Sequence, residues 1–239
     1  MRDLSGTVVA ITGASSGIGA ATARALGAEG ASVALGARRK DRLTELANEL
    51  GAQVVIVEMD VRTSEDSQRL VDQAVESFGH LDAIVVNAGV GMYGGIMDQT
   101  DDEIRAMIDT NVAGTIWPIR AAVPRLLENG GGDIVIVASV AGLRGAGDEA
   151  VYAATKHAQV GLAGGLDREL REKNIRVSTI APGGTATEFA MGTGRTPDMP
   201  GLAHMLDAED MAAAVVTVLQ QPKSMRTLLW SMRSMKEED

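Results

Sequence analysis

Residues 7–19 read Thr-Val-Val-Ala-Ile-Thr-Gly-Ala-Ser-Ser-Gly-Ile-Gly, and this stretch decides the fold. Its first half, 7–12, is a short run of apolar and β-branched residues, as expected for a buried parallel strand. The Ala-rich stretch 20–29 that follows favours a helix. A strand, a glycine loop and a helix in this order direct backbone N–H groups and the positive helix end toward a phosphate. The stretch therefore predicts a nucleotide-binding α/β unit.

The three glycines of this loop have separate predicted roles. Gly13 and Gly17 permit a tight turn and the close approach of a pyrophosphate, and Gly19 lets the helix pack near the sheet. The spacing Thr12-Gly13-x-x-x-Gly17-x-Gly19 differs from the more common Gly-x-Gly-x-x-Gly fingerprint. A glycine-rich loop that only turns the chain is the alternative interpretation.

A second group of polar residues lies in the other half of the chain. Tyr152 and Lys156 are four positions apart and so share one helix face. Tyrosine has an ordinary pKa of about 10, and a nearby cation favours the phenolate, which makes the phenol usable in proton transfer. Ser139, thirteen positions before Tyr152, supplies a hydroxyl that can hold a carbonyl or alcohol oxygen. Taken alone, Tyr-x-x-x-Lys is a common pattern with little weight.

Strand-like and helix-like segments alternate along the whole chain. This alternation predicts an α/β fold with a doubly wound parallel sheet and helices on both faces, in a single domain over residues 1–239. A long irregular loop at about 188–206 is expected to bind substrate, and a short flexible acidic tail begins at about 234. Further strands are predicted at 32–36, 53–58, 83–86, 133–138, 176–181 and 227–230, and helices at 39–50, 64–78, 102–127, 151–173 and 208–220.

Further short motifs occur in a fixed order around these residues. They are Asn87-Ala88-Gly89, Asn111 and Pro182-Gly183. Together with the glycine loop, Ser139, Tyr152 and Lys156, they make the chain resemble the short-chain dehydrogenase/reductase family from about Gly6 to about Leu229. The resemblance implies a one-domain Rossmann fold, a nicotinamide cofactor, and an oxidoreductase acting on alcohols and carbonyls. The catalytic tetrad that it implies is Asn111, Ser139, Tyr152 and Lys156.

The resemblance also implies a role for each member of the tetrad. Tyr152 donates a proton to the carbonyl oxygen while the nicotinamide delivers hydride, and Ser139 orients that oxygen. Lys156 holds the nicotinamide ribose and keeps the pKa of the tyrosine low. Asn111 and a water restore the proton.

The cofactor-binding residues implied by the resemblance follow the chain order. Thr185 stands where the family usually has an aliphatic residue, and its contact with the nicotinamide is expected mainly through its backbone. The implied set is Gly13, Ser15, Ser16, Gly17, Ile18, Gly19, Asp60, Val61, Asn87, Ala88, Gly89, Tyr152, Lys156, Pro182, Gly183, Thr185 and Thr187. For Asn87, a cap at the end of a strand is the alternative.

The residues after the second strand indicate which nicotinamide cofactor is used. An acidic residue there would bind the adenosine ribose and repel a 2′-phosphate. The sequence instead has Arg38 and Arg39, with no carboxylate before Asp41. A guanidinium suits a phosphate, so NADP(H) is favoured over NAD(H), with Arg38 as the better candidate and Arg39 assisting. Two solvated arginines at a helix start are the alternative.

Composition excludes several other classes of function. The formal net charge of −10 argues against nucleic acid and anionic membranes as partners. The chain has no cysteine, its three histidines are isolated, and no metal site is expected. The chain enters its first strand almost at once and has no apolar run of about 20 residues. We therefore expect a cytoplasmic protein.

Substrate identity is less constrained by the sequence. Residues 90–95, 141–149 and 188–206 are expected to form the pocket, where Met92, Met191, Met199 and Met205 suggest an adaptable apolar wall or only fill loops. Glu149 either approaches the reacting centre or faces solvent.

A small alcohol or ketone is the favoured substrate. A 3-oxoacyl-thioester reductase is the alternative, although 128–132 lacks the positive charge that receives an acidic carrier protein in that group. A non-redox or cofactor-sensing member of the fold is a more distant alternative.

The resemblance finally implies a homodimer or homotetramer built on the helices at 102–127 and 151–173. Small residues of the second helix would permit close packing between copies, although burial against the chain's own sheet explains them equally well. They are Ala153, Ala154, Ala158, Gly161, Gly164 and Gly165.

Overall fold

Seven strands form one parallel sheet in the computed structural model, which describes residues 1–236. The strands are Val8–Thr12 (β1), Ser32–Ala37 (β2), Val54–Glu58 (β3), Ala83–Val86 (β4), Gly132–Val137 (β5), Ile175–Pro182 (β6) and Leu229–Met232 (β7). Their order across the sheet is β3-β2-β1-β4-β5-β6-β7, and every neighbouring pair is parallel. The predicted Rossmann-type α/β fold is confirmed.

Helices cover both faces of this sheet. They are Gly17–Ala28 (α1), Lys40–Leu50 (α2), Ser64–Phe78 (α3), Asp101–Met107 (α4), Gly114–Glu128 (α5), Ala150–Leu170 (α6) and Ala208–Gln220 (α7). The core beneath α1, α2 and α7 contains Val9 and Ile11 of β1, whereas the core beneath α3, α5 and α6 contains Val8 and Ala10. Successive side chains of a strand point to opposite faces, so a central strand must be apolar throughout.

The helix predicted at 102–127 is interrupted. A π-helical segment, Ile108–Ala113, separates α4 from α5. The buried side chain of Asn111 bonds to both backbone groups of Val90, which draws the segment toward the loop after β4. Such π-helical turns often mark functional sites. Short 3₁₀ turns also occur at Val140–Gly142, Arg171–Lys173 and Pro200–His204.

The last strand begins two residues later than predicted. Before it, the Arg176 guanidinium binds the carbonyl oxygens of Gln221, Pro222 and Met225, which holds that stretch in a non-extended conformation. β7 pairs with β6 only from Leu229 onward. The predicted tail lies partly outside the described residues, at 237–239.

The carboxyl ends of all seven strands lie along one edge of the sheet, because every neighbouring pair is parallel. β1 and β4 are adjacent there but not consecutive in the chain, so the crossovers diverge and leave a crevice. Ligands of open α/β sheets bind in such a crevice. No helix within residues 1–236 combines the length and apolar character that crossing a membrane requires.

A buried ion pair lies at the opposite edge of the sheet, where the strands begin. Asp133 and Arg176 are register partners in β5 and β6, and the Asp133 carboxylate also pairs with Arg2 at 2.8 Å.

We expect Asp133→Ala to lower the free energy of unfolding by about 3–5 kcal/mol, because the buried Arg176 charge loses its partner. Urea unfolding followed by circular dichroism measures this. Glu49→Ala, which breaks the exposed pair with Arg24, is the control and should cost less than about 1 kcal/mol. Similar losses in the two variants would contradict the prediction.

Candidate active site

A cavity of about 820 Å³ opens at the carboxyl edge of the sheet. It is lined by nearly every residue that the sequence nominated for catalysis or cofactor binding. Gly19 and Asn111 are the two exceptions: Gly19 packs behind the glycine loop, and Asn111 is fully buried behind the cavity wall. The structure therefore brings the two halves of the predicted site together.

The glycine loop leaves no room for side chains at its three glycines. Gly13 has φ +67°, and an added Cβ would lie 2.8 Å from the Ala88 Cα. At Gly17, with φ +52°, it would lie 3.2 Å from Thr187 Cβ. At Gly19 it would meet the backbone of Gly13 itself. The glycines therefore do more than turn the chain, because each of them permits two parts of the backbone or a side chain to approach closely.

Thr12 and Asn87 tie this loop to the end of β4. The Thr12 hydroxyl accepts hydrogen bonds from the backbone N–H groups of Asn87 and Ala88. The Asn87 amide donates to the carbonyl oxygens of Thr12 and Gly13, at 3.1 and 3.2 Å. Asn87 is thus a brace between two strand ends, which agrees with the cap-like interpretation and leaves the backbone after it facing the cavity.

Arg39, rather than Arg38, reaches the glycine loop. Its guanidinium donates to the hydroxyl oxygens of Ser15 and Ser16, the shortest bond being 2.6 Å. It also pairs with the Glu188 carboxylate at 2.8 Å. Arg38 lines the same cavity and lies close enough to Asp60 to help lower the pKa of that carboxyl, although hydrogen bonds from Arg62 have the largest effect.

Tyr152 and Lys156 project from α6 into the deep end of the cavity. Both side chains are buried, and Lys156 Nζ lies 5.8 Å from the centre of the Tyr152 ring. Ser139 follows β5, where its hydroxyl caps the turn at Val140–Gly142 by accepting from the Ala141 N–H at 3.1 Å. This cap fixes the direction of the serine side chain beside Tyr152.

The polypeptide shifts the pKa of both ionisable groups toward their neutral forms. Burial raises the pKa of the Tyr152 phenol, and a hydrogen bond with Ser139 only partly offsets the effect. Burial lowers the pKa of Lys156 to about 7. The lowering of the tyrosine pKa that was expected from Lys156 is therefore not seen in the chain alone, where burial has the largest effect on the phenol.

Gln159 is a member of the site that the sequence reasoning missed. Its side-chain oxygen accepts from Lys156 Nζ at 2.9 Å, and its amide nitrogen donates to the Asn111 carbonyl and the Thr115 hydroxyl, at 2.9 and 2.7 Å. The Lys156 ammonium also donates to the Val137 carbonyl at 3.3 Å. Gln159 thus links the Lys156 ammonium to the Asn111 carbonyl directly, at the place where a water was expected to connect the two residues. Its position three residues after Lys156, on the same helix face, was the available signal.

Two aromatic rings were also missed. Tyr93 and Phe189 flank the Tyr152 ring, with centroid distances of 5.6 and 5.8 Å. Both belong to loops that were expected to form the pocket, but their side chains carry no sequence pattern that would single them out. They form the apolar walls around the phenol.

The loop predicted at 188–206 contributes only its first half to the cavity. Its lining residues end at Arg195, and Thr193 bonds to the backbone of Gly91 and Tyr93. Met92 and Met191 line the cavity as expected. Met199 and Met205 are not among the described residues that line the cavity, so they lie outside the expected apolar wall. Met199 is exposed, and Met205 packs near Gly184, as the loop-filling alternative expects.

A family model described as short chain dehydrogenase matches residues 7–198. The chain therefore belongs to the short-chain dehydrogenase family, and it is an oxidoreductase of CH–OH and C=O groups. This confirms the resemblance inferred from the motifs. An uncharacterised oxidoreductase of Staphylococcus aureus (strain N315) is 36% identical over 224 residues, covering 93% of this chain and 95% of the relative.

Two solved structures show the same likeness. An alcohol dehydrogenase from the archaeon Thermococcus sibiricus, complexed with 5-hydroxy-NADP, has a TM-score of 0.89 and 31% identity, covering 98% of each chain. A 3-ketoacyl-(acyl-carrier-protein) reductase from Brucella melitensis, complexed with NADH, has a TM-score of 0.88 and 29% identity, covering 96% of each chain. A nicotinamide cofactor is thereby supported for this chain.

The hydrogen bond from Lys156 to Gln159 yields a prediction for the lysine pKa. An amide oxygen that accepts from an ammonium stabilises the charged form, so Gln159→Met should lower the pKa of Lys156 by about one further unit. Carbon NMR of labelled lysine measures the titration, and the signal that is missing in Lys156→Met identifies the residue. Thr115→Val removes a hydroxyl from the far end of Gln159 and should have a smaller effect. An unchanged titration in Gln159→Met would show that this bond does not hold the ammonium.

Proposed function

We propose that this protein is an NADP(H)-dependent oxidoreductase that transfers a hydride between the nicotinamide and a small alcohol or ketone. The observation that carries the proposal is the convergence of Ser139, Tyr152 and Lys156 on the same cavity as the glycine loop. A carbonyl carbon held at this end would face both a proton donor and the reactive end of a dinucleotide stretched along the crevice.

The chain's own residues supply orientation and a proton. The nicotinamide supplies or accepts the hydride when it is bound. Ser139 holds the substrate oxygen as charge builds on it, and the Tyr152 hydroxyl donates its proton to that oxygen during reduction. The Tyr152 phenol carries its proton at neutral pH, because its ordinary pKa is about 10 and burial raises it further, so it is available as the donor in reduction. Lys156 is directed toward the site by Gln159 and Val137.

The preference for NADP(H) is supported by the charges around the glycine loop. Arg38 and Arg39 both line the cavity, and Arg39 is already hydrogen-bonded to the serines of the loop. A 2′-phosphate would meet a guanidinium where NAD-selective sites hold a carboxylate. Glu188 competes for Arg39, and the ion pair lowers the pKa of Glu188, so the carboxylate remains charged.

A 3-oxoacyl-thioester reductase is the second candidate, favoured by the likeness to the Brucella melitensis enzyme. Against it, the end of α5 at 128–132 offers no positive charge for an acidic carrier. A non-redox or cofactor-sensing role is less favoured, because the tetrad residues are all present. The cytoplasmic location and the lack of nucleic-acid and membrane partners stay predictions from the sequence, as does the single domain.

We further propose a homo-oligomer, a dimer or tetramer, built on α5 and α6. Four of the six small residues nominated on α6 are exposed rather than buried against the sheet, and a Cβ added at Gly161 or Gly165 would meet nothing within 4 Å. Ile108 and Ile116, in the adjoining helical segments, are also exposed. The four exposed residues are Ala154, Ala158, Gly161 and Gly165.

Removal of the Tyr152 hydroxyl tests the mechanism. Tyr152→Phe keeps the ring between Tyr93 and Phe189 but has no proton to donate. We expect turnover to fall by about 10³-fold or more, while NADPH binding changes less than threefold. Absorbance of reduced nicotinamide across a panel of ketones, aldehydes and acetoacetyl thioesters measures turnover, and fluorescence titration measures binding. A variant that retains its activity would eliminate the mechanism. NADPH binding by the wild type with no reduction of any substrate in the panel would favour a non-redox role.

The cofactor preference is tested at Arg39. Arg39→Ala, alone and with Arg38→Ala, should weaken NADPH binding by about 10–100-fold and NADH binding much less, because only NADPH carries the 2′-phosphate. Arg42→Ala is the matched control, since Arg42 pairs with Glu188 at 3.2 Å without touching the serines of the loop. Equal losses for the two cofactors would count against NADP(H) preference.

A further inference from the structure

Arg195 places a guanidinium in the cavity beside the phenol of Tyr152. Its Nη1 donates to the Thr185 carbonyl oxygen at 2.9 Å, and its Cζ lies 5.7 Å from the centre of the Phe189 ring. Burial raises the pKa of Tyr152, and the nearby Arg195 charge opposes that effect. The guanidinium is thus within electrostatic reach of the group that exchanges a proton with the substrate.

Arg195 has no carboxylate partner among residues 1–236. The Thr185 carbonyl, the Phe189 ring and a hydrogen bond with the Tyr93 side chain hold it, although a guanidinium carries five N–H donors. Glu188 pairs with Arg39 and Arg42 instead. Glu149 also lines the cavity and accepts from the Ala146 N–H at 2.9 Å, and it makes no ion pair with Arg195 among the described residues. A half-buried arginine without a counter-ion is unfavourable unless a ligand supplies one.

The charge of the cavity is opposite to the charge of the whole chain. Six cationic and three acidic side chains line the cavity, whereas the formal net charge of the protein is −10. The cations near the glycine loop suit the phosphates of a dinucleotide, but Arg195 lies with Tyr93 and Phe189 at the other end. Its charge is therefore directed at the substrate.

We propose that Arg195 binds a carboxylate of the substrate, so that this enzyme acts on hydroxy acids and the corresponding oxo acids. The inference rests on the proposed function and names its substrate class. A guanidinium matches a carboxylate in a planar, two-point contact, and its five N–H donors outnumber the bonds that it makes to Thr185 and Tyr93. Ser139 and Tyr152 then hold the carbonyl or hydroxyl oxygen of the same small molecule.

Paired acids and esters test this assignment. Pyruvate with ethyl pyruvate, and acetoacetate with ethyl acetoacetate, differ within each pair in charge and represent two spacings between carboxylate and ketone. We expect the wild type to prefer the acid of at least one pair in kcat/KM. Arg195→Gln should lower the acid-to-ester ratio for that pair by about 30-fold, mainly through KM for the acid, and Arg195→Lys by less.

Arg144→Gln is the matched control, because Arg144 is an exposed arginine that lines the same cavity. We expect it to change the acid-to-ester ratio by less than threefold. Equal changes in Arg144→Gln and Arg195→Gln would overturn the assignment, because the acid preference would then reflect the general field of the cavity. A wild type that prefers both esters, or that reduces neutral ketones in a Tyr152-dependent manner but neither acid, would also overturn it while leaving the proposed function standing. If no carbonyl compound is reduced at all, the proposed function itself fails.

Discussion

One buried ammonium group organises the Tyr152 end of the cavity. Lys156 Nζ is removed from water, and burial lowers the pKa of this group to about 7. A buried lysine needs acceptors, and the chain supplies the Val137 carbonyl from β5 and the Gln159 amide oxygen from α6. Gly89 completes the enclosure, since a Cβ there would lie 3.5 Å from the ammonium nitrogen. Contacts with this one nitrogen atom thereby hold the end of β5, the loop after β4 and α6 close together.

The same network explains why the helix after β4 is irregular. Gln159 needs acceptors for its amide, and the Asn111 carbonyl and Thr115 hydroxyl provide them. Asn111 in turn uses its side chain on Val90 and Thr155, so its residue must lean toward the sheet edge rather than follow a straight helix. The π-helical turn satisfies these demands together. A buried polar network of this kind is stable only when every member has partners.

Much of this arrangement could be predicted from the sequence, because its signals are local. The strand, glycine loop and first helix lie within 30 residues, and Tyr152 and Lys156 share a helix face by spacing alone. The interruption at Ile108–Ala113 could not be predicted, since its cause lies in contacts with residues 20 to 50 positions away. Arg39 was ranked below Arg38 for a similar reason: its partner Glu188 is 149 positions distant. Loop side chains such as Phe189 have no periodicity to reveal where they point.

The segment from Glu188 to Arg195 contacts both ends of the crevice. Glu188 shares the Arg39 guanidinium with the serines of the glycine loop, while Phe189 packs on the Tyr152 ring and Arg195 lies beside it. An anion that displaces Glu188 from Arg39 would therefore remove one contact that holds this segment in place. The same segment carries Phe189 and Arg195, which lie beside Tyr152. If binding at one end moved this segment, the other end would respond with the same coupling free energy, because linkage between two sites is reciprocal. The glycine-loop end and the Tyr152 end of the crevice are thus joined by one short segment, through Glu188 at one end and Phe189 and Arg195 at the other.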